Sequence, residues 1–312
     1  MSKESGCDSV SRCANCGVKE GDGDGVKLKQ CSACHLVRYC SVKCQKEHRP
    51  KHKRECKRRM AEMRDEILFK QPEGTHCGDC QICCLPMSIS FGAKSIGANP
   101  VSTACCCNFL CKGCQVAMLI RETPGRRMTC PFCRGPIPNS MAEAELYEKG
   151  RIAVDDPHAI YRAGTIASDR GDYRAAFEHY SRAAELGEVE AHFQLGNLYS
   201  RGEGVEKDKT KAGFHYEKAA LAGHPVARCI LGKNEVIKDL MLEIHPERGI
   251  KHLMIAAKQG DNNALGSLKD LYKNNFLRKD ELVTSLRGHQ AAADAMKSPQ
   301  REMAASRSRE GV

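Results

Sequence analysis

Residues 13–56 read CANCGVKEGDGDGVKLKQCSACHLVRYCSVKCQKEHRPKHKREC, and this stretch contains four pairs of Cys or His residues. Two or three residues separate the members of each pair, a spacing that lets both side chains of one turn reach a single tetrahedral ion. Two such ions require eight donors, which is the number present. The thiolate and imidazole donors favour zinc. The pairs are Cys13 and Cys16, Cys31 and Cys34, Cys40 and Cys44, and His52 and Cys56.

The distribution of cysteines divides the chain into two parts. The sequence has 20 cysteines, and all except Cys229 lie at or before Cys133. The first ten residues, MSKESGCDSV, lack the apolar segment of a secretory signal, and no run reaches the roughly 18 apolar residues of a membrane helix. We therefore expect an intracellular protein, cytoplasmic or nuclear, without a membrane partner, whose reduced thiols bind metal instead of forming disulfides.

The residues and spacings of 13–56 resemble the MYND finger family. The resemblance implies that the pairs interleave and that both zinc ions are structural, because protein ligands fill all four positions of each. It also implies docking of short, often proline-containing peptides. One zinc would be bound by Cys13, Cys16, Cys40 and Cys44, and the other by Cys31, Cys34, His52 and Cys56.

Two positions near the end of this finger need separate interpretations. Arg49 stands where an aromatic residue is common in the MYND family. His48 lies four residues before His52, but only His52 has the three-residue gap to Cys56. We therefore interpret His48 as a surface histidine.

A second group of cysteines follows between residues 77 and 135. It contains three CxxC pairs, with three consecutive cysteines between the first pair and the second. The order resembles a RING finger, and the resemblance implies that Cys80, Cys83, Cys111 and Cys114 hold one zinc while Cys130, Cys133 and two of the central cysteines hold another. The fold class predicted for both modules is a small zinc-stabilised α+β finger, with four structural zinc ions in total.

The central cysteines leave one ligand open. Counting back from Cys111, the third RING ligand falls on Cys106, and Asn108 stands where a histidine ligand is commonly found. Either Cys105 or Cys107 can supply the missing thiolate, and we prefer Cys105. The remaining cysteines of the N-terminal part, Cys7, Cys77 and Cys84, are interpreted as free thiols.

The RING resemblance implies binding of a ubiquitin-conjugating enzyme. Ile82, Pro131 and Arg134 match positions that the family uses for this contact. A guanidinium with several donors suits a contact to the carbonyl groups of two proteins. The alternatives are that Arg134 is an ordinary surface residue and that Ile82 and Pro131 pack locally.

A different periodicity begins after the second finger. HYSRAAELG ends at Gly187, HYEKAALAG ends at Gly223 and KHLMIAAKQG ends at Gly260, so the steps are 36 and 37 residues. The fragment LGNLYSRGEGVEKDKTKAGFHYEKAALAG resembles the Sel-like branch of the tetratricopeptide-type repeats. We predict about four helix–turn–helix units over residues 156–290, stacked as an all-α solenoid with a concave partner surface.

The intervening segments are predicted from composition. We expect a basic helical linker over residues 57–76, a second linker over 136–155 and a disordered tail over 291–312, where large apolar residues are few. Cys229 is expected to be a small buried apolar residue. The recurring histidines of the repeats, which we interpret as one stacked surface row and not as ligands, are His179, His215 and His252.

Net charge gives a weaker indication of partners. The formal charge is +10, and much of it lies between Lys46 and Arg59. Such a run is typical of a solvated helix face, with nuclear targeting and nucleic-acid contact as the alternatives. The chain has no Trp and 5% aromatic residues, which disfavours single-strand binding by base stacking.

The modules favour one function and leave a second open. The leading hypothesis is a RING-type ubiquitin ligase or ligase subunit that recruits substrate through the MYND finger and the repeats. The alternative is a non-catalytic adaptor that scaffolds protein complexes. Lysine methylation is a third possibility because MYND fingers accompany SET domains in one family of enzymes. No segment here resembles the SET motifs.

Overall fold

The computed structural model describes residues 12–22, 25–70, 72, 74–87, 100–120 and 128–309. The chain divides into two compact units, Met1–Lys70 and Gln71–Val312. Within the described residues, no helix combines the length and the apolar character needed to cross a lipid bilayer.

The first unit is a small finger followed by a long helix. Strand β1 (Lys29–Gln30) pairs antiparallel with β2 (Arg38–Tyr39), and α1 (Val42–Leu68) follows. Helix α1 begins after Ser41, whose hydroxyl accepts a hydrogen bond from the backbone N–H of Cys44. The expected linker helix is therefore the second half of α1, which is continuous from the finger and ends at Leu68.

The second unit begins with another small finger. Strand β3 (Pro100–Ser102) pairs antiparallel with β4 (Phe109–Cys111), and α2 (Lys112–Ile120) follows directly. Single antiparallel bridges join Asp79 to Pro86 and Thr129 to Pro136, so each closes a loop around one CxxC pair. The core of this finger is formed by its cysteines together with Met87 and Leu110.

Helices fill the rest of the second unit. Successive helices pack against one another along the chain, and the most extensive contacts are those of α4 with α5, α6 with α7 and α8 with α9. The fold class predicted from the sequence, zinc-stabilised fingers followed by a helical-repeat solenoid, is confirmed. The helices are α3 (Met141–Ala153), α4 (Pro157–Asp169), α5 (Tyr173–Glu185), α6 (Val189–Arg201), α7 (Lys209–Leu221), α8 (Pro225–Met241), α9 (Glu247–Lys258), α10 (Asn262–Lys273), α11 (Lys279–Ala295) and α12 (Pro299–Arg309).

Glycines explain why the repeat pattern is so regular. Gly196 lies on α6 against Tyr216 of α7, and a Cβ at this position would stand 2.6 Å from the tyrosine ring. Gly164 of α4 meets Tyr180 of α5 in the same way, at 2.7 Å. A larger residue at either position would push the two helices of a repeat apart. The repeated glycine is therefore a requirement of close helix packing.

Two expectations about the ends of the repeat region are wrong. Residues 141–153, expected to belong to a linker, form α3, which packs against α4. Residues 299–309, expected to be disordered, form α12, which packs against α2 of the second finger. Ala304 and Ala305 are buried there. Small side chains at a close helix–helix contact bury surface without the large apolar residues that a hydrophobic pattern requires.

Candidate metal centres and contact surfaces

The first candidate centre joins the start of the MYND-like finger to the start of α1. The thiols of Cys13, Cys16, Cys40 and Cys44 lie within 4.8 Å of one another. The Cys13 turn is closed by a hydrogen bond from the Gly17 N–H to the Cys13 carbonyl, and Gly17 has a φ of +76°, which glycine adopts at no steric cost. The four sulfur atoms therefore converge on one point, as a tetrahedral zinc requires.

The second candidate centre joins the central turn of the finger to the middle of α1. Its ligand atoms also lie within 4.8 Å of one another, and the Cys34 Sγ is 3.2 Å from the His52 Nε2. Helix α1 brings its two donors to the same face because they are four residues apart. The set, which is the one implied by the MYND resemblance, is Cys31, Cys34, His52 and Cys56.

Backbone hydrogen bonds prepare thiols in both centres to bind a cation. Burial opposes ionisation of Cys13, but hydrogen bonds from the backbone of Cys16, Cys40 and Asn15 outweigh it and lower the pKa of this thiol to about 6. For Cys31, burial is likewise outweighed by the backbone of Cys34 and Ala33, and the pKa falls to about 6. A thiolate is the form that binds zinc.

His48 lies beside the second centre without joining it. Its Nδ1 is 3.1 Å from the hydroxyl oxygen of Tyr39, and its ring stacks on that of His52 with 5.8 Å between centroids. The side chain is half-buried, whereas we expected a surface histidine. Stacking holds the ring of His52 in the orientation that faces Cys34.

The third candidate centre lies at the start of the second unit. The thiols of Cys80, Cys83, Cys111 and Cys114 lie within 4.8 Å of one another, and Cys80 is fully buried. The backbone N–H of Cys111 donates to the Cys80 Sγ at 3.2 Å. Strand β4 and helix α2 meet at Cys111, so the strand supplies one donor and the first turn of the helix supplies the next.

The fourth candidate centre distinguishes among the three central cysteines. Cys105 and Cys106 lie with Cys130 and Cys133 within 4.8 Å, whereas Cys107 is outside this group. Cys107 has a φ of +54° and hydrogen-bonds to Arg151 and Asp156. The chain reverses at Cys107, and its side chain faces helix α3 and the start of α4.

Asn108 lies next to this centre as a hydrogen-bond donor. Its side-chain Nδ2 is 3.4 Å from the Cys106 Sγ and donates to it. Burial would raise the pKa of Cys106, but the Thr103 hydroxyl and the Asn108 backbone lower it to about 6. Asn108 stands where the RING family commonly has a histidine ligand, and here it stabilises the thiolate of Cys106.

The cysteines expected to be free lie outside all four groups where they are described. Cys77 has its Sγ 3.5 Å from the His76 Nε2, and Cys84 is exposed. Cys7 lies outside the described residues. Cys229 is buried in the apolar core formed by α8, α9 and α10.

The residues expected to contact a conjugating enzyme are all accessible. Ile82 lies within the first CxxC turn of this finger and is 41% exposed. Pro131 lies within the last such turn, and Arg134 directly follows it; both are exposed. Arg134 has a φ of +59°, so the turn at Cys133 directs this side chain outward through an uncommon backbone conformation.

Arg301 of α12 is an anchor that the sequence analysis missed. Its guanidinium donates to the carbonyls of Pro86 at 2.7 Å and Leu85 at 3.0 Å, and it lies 3.6 Å from the Cys83 Sγ. Gly113 of α2 lies against it, and a Cβ at Gly113 would stand 2.8 Å from Arg301. The C-terminal helix therefore holds the loop that carries two ligands of the third centre.

A buried group of His76, Glu190 and His224 was also missed. The Nε2 atoms of both histidines lie close to the Glu190 Oε1, at 2.8 and 3.0 Å, so the geometry alone is compatible with an ion. The backbone N–H of Ala227 donates to the His224 Nδ1, so the ring proton lies on Nε2. A protonated Nε2 has no lone pair for a metal. The donor set therefore fits a hydrogen-bonded His76–Glu190 pair with His224 beside it better than a zinc site.

The recurring histidines of the repeats lie outside all groups of possible metal ligands among the described residues. His215 is paired with His192, whose Nδ1 lies 3.1 Å from that of His215. His252 is buried, with its Nε2 3.7 Å from a carboxylate oxygen of Glu235. His179 is half-buried. His215 and His252 thus each have a partner of their own, whereas a uniform row of surface histidines was expected.

Family models match two parts of this architecture. Residues 13–56 match the MYND finger, and residues 141–188 and 189–224 match the Sel1 repeat. A crystal structure of a Sel1 repeat protein from Oxalobacter formigenes is 29% identical, with a TM-score of 0.43 over 51% of this chain and 66% of that chain.

Two curated proteins are similar over parts of their length. An uncharacterised protein of Neisseria meningitidis serogroup B, NMB1327, is 30% identical over 136 residues, which is 42% of this chain and 27% of that protein. The human histone-lysine N-methyltransferase SMYD3 is 61% identical over 31 residues, which is 10% of this chain and 7% of that enzyme. The chain thus spans about a quarter or less of the length of these relatives.

The MYND finger and the Sel1 repeats are types of protein-interaction domain, and the cysteine groups are compatible with structural zinc. The chain is therefore a zinc-binding protein-interaction protein, with a MYND finger at residues 13–56 and Sel1 repeats within residues 141–224.

Proposed function

We propose that this protein is a RING-type ubiquitin ligase or ligase subunit. In this proposal residues 77–135 form a RING-like finger that recruits a ubiquitin-conjugating enzyme, while the MYND finger and the repeats bind substrate. The observation that supports it most is the pair of interleaved cysteine groups in one finger, Cys80–Cys83 with Cys111–Cys114 and Cys105–Cys106 with Cys130–Cys133. The reactive cysteine would belong to the conjugating enzyme.

The accessible residues of this finger support the same proposal. Ile82, Pro131 and Arg134 project from the two CxxC turns at matching positions of the RING pattern. A planar guanidinium can donate to carbonyl groups of the conjugating enzyme and of ubiquitin at once, which would hold the thioester in a reactive pose. We propose an intracellular location as well, because zinc-binding thiols must stay reduced.

A non-catalytic adaptor is the second candidate. Asn108 favours it, because a side chain that donates to the Cys106 Sγ takes the place of a common RING ligand. A methyltransferase is not proposed. The similarity to SMYD3 covers 31 residues, which are too few to form a catalytic domain.

Autoubiquitination of the purified full chain with a panel of conjugating enzymes tests the ligase proposal. Ubiquitin chains formed by the wild type and lost in Cys130→Ser are the expected result, with strong reduction in Arg134→Ala. Arg170→Ala, in the repeats, is the matched control and should retain activity. No activity with any member of the panel, from protein that contains all four zinc ions, would contradict the ligase and favour the adaptor.

A further inference from the structure

A groove beside the second zinc centre of the MYND finger runs along helix α1. Its volume is about 450 Å³. Tyr39 and Ala33 contribute to its lining, together with Val42 and Met60, which are 67% and 47% exposed. Apolar side chains with such exposure beside a groove provide a contact for an apolar segment of a partner.

Positive charge lines the same groove. Its cations are three or four residues apart on α1 and therefore share one face of the helix. Among the described residues that line the groove, none is Asp or Glu. The four cations are Lys46, Arg49, Lys53 and Lys57.

Two neighbouring cations on the same helix have carboxylate partners, and the groove cations have none that the structure describes. Arg58 pairs with Glu55, and Arg59 pairs with Glu62 and Glu66. In the described part of the chain, none of the four groove cations has a carboxylate partner. Among the described residues, Lys43, Lys51 and Arg54 of α1 also lack a carboxylate partner but do not line the groove. Four of the unpaired cations of α1 therefore border the groove.

Arg49 makes this groove different from what the MYND resemblance implies. It occupies the position where an aromatic residue is common in that family, and here its guanidinium lines the groove. With Arg49 here, a partner meets a charge at this position, whereas an aromatic side chain would offer it a stacking contact. The chemistry of the preferred partner should change accordingly.

We propose that this groove docks a peptide whose apolar, proline-containing centre is flanked by Asp or Glu residues. The proposal rests on the peptide-docking role given to the MYND finger above and adds the charge of its partner. The apolar lining receives the centre of the peptide, and the four cations bind the carboxylates on its flanks.

Nucleic acid fits the groove less well. A volume of about 450 Å³ is too small for a double helix. Among the described residues that line the groove, Tyr39 is the one Phe, Tyr or Trp residue, and it is buried, so it cannot stack on an unpaired base. The positive charge alone would attract a phosphate backbone, but the apolar lining would be unused.

Fluorescence anisotropy with the full zinc-loaded chain tests the proposal. The probes are three labelled nine-residue peptides with the same proline- and leucine-containing centre, flanked on both sides by two Asp, two Ser or two Lys residues. We expect the Asp-flanked probe to bind at least about 10-fold more tightly than the Ser-flanked probe at 50 mM salt. The ratio should fall at 300 mM salt, because salt screens exposed charges.

Two variants on α1 separate local from overall charge. Lys53→Glu should weaken binding of the Asp-flanked probe by about 10-fold. Lys51→Glu makes an equal charge change at an exposed residue that does not line the groove, and it should have little effect on binding. Arg49→Trp should reduce the preference for the Asp-flanked probe and strengthen binding of the Ser-flanked one. Zinc content and circular dichroism establish that each variant is folded.

Each contrary outcome has a distinct meaning. Equal affinity for the Asp- and Ser-flanked probes would overturn the acidic preference while leaving peptide docking in place. Failure of all three probes to bind at about 1 mM would overturn both the acidic preference and the docking of peptides in this groove. Equal effects of Lys51→Glu and Lys53→Glu, or tighter binding of a DNA duplex than of the Asp-flanked peptide, would show that the groove is not the site of recognition.

Discussion

Cys105, Cys106 and Cys107 show how three identical neighbours acquire different roles. Cys105 and Cys106 face Cys130 and Cys133, whereas Cys107 hydrogen-bonds to Arg151 and Asp156. The sequence could place this site within the finger, because CxxC spacing requires nearby donors. It left Cys105 and Cys107 open with a preference for Cys105, because both neighbour Cys106. In the structure Cys107 has the left-handed backbone that also follows Cys34, Cys83 and Cys133, and a local hydrogen bond from its N–H to the Thr103 carbonyl closes the turn.

These roles predict different zinc contents. Cys105→Ser should lose one zinc ion per chain, because three thiolates would remain at the fourth centre. Cys107→Ser should keep the wild-type number. Native mass spectrometry of the two purified variants makes the comparison, and loss of zinc from Cys107→Ser alone would show that Cys107 is the ligand.

The contact between His76 and Glu190 should make the free energy of unfolding depend on pH. Burial would lower the pKa of His76, but hydrogen bonds that its ring donates to Cys77 and Glu190 outweigh burial and raise that pKa from 6.5 to about 10. The stabilisation from this histidine is thus complete below pH 6.5 and is lost as the pH rises through about 10. Burial would raise the pKa of Glu190, but His224 and His76 lower it from 4.5 to about 2, so its own contribution is lost only as the pH falls from 4.5 towards 2.

Urea unfolding of Glu190→Gln tests this dependence. At pH 6.5 the substitution should lower the free energy of unfolding by about 2 kcal/mol, the scale of a hydrogen bond to a charged group. The difference from the wild type should shrink as the pH rises towards 10. The exposed Glu185→Gln is the matched control. A difference that stays constant from pH 6.5 to 10 would contradict a charged His76.

Helix α12 shows at the scale of an element why the C-terminal region was mispredicted. The helical repeats were recognisable because Gly187, Gly223 and Gly260 recur at the ends of successive units, where each has the positive φ of about 90° that glycine adopts without strain. Helix α12 instead buries two alanines and an arginine. Arg301 donates to the nearby Met296 carbonyl, but its other two carbonyl partners, at Pro86 and Leu85, lie more than 200 residues earlier in the chain, so no local pattern indicates that contact.

Arg301 is predicted to be a stability determinant of the second finger. Arg301→Ala would leave the carbonyls of Leu85 and Pro86 without their donor and should lower the free energy of unfolding by about 3 kcal/mol. Hydrogen exchange of residues 83–87 should become faster. Arg307→Ala, at an exposed position of the same helix, should change neither quantity. Equal effects of the two substitutions would contradict the anchoring role.

The whole molecule combines two ways of stabilising a fold. The fingers have few large apolar residues, so zinc must supply most of their folding free energy, on the order of 10 kcal/mol per ion. The repeats contain continuous apolar cores such as the one around Leu253 and Leu268. Donor spacing and repeat period revealed these modules directly from the sequence. Contacts between distant segments, such as those of His76 with Glu190, were not predictable because they depend on how the modules pack.

The zinc content of the full chain tests the central claim most directly. Native mass spectrometry of protein purified under reducing conditions should find four zinc ions per chain. A fifth ion that disappears in Glu190→Gln would show that the buried His–Glu–His group binds metal after all. Two ions or fewer would contradict the account, because the second finger would then lack the metal on which its fold depends.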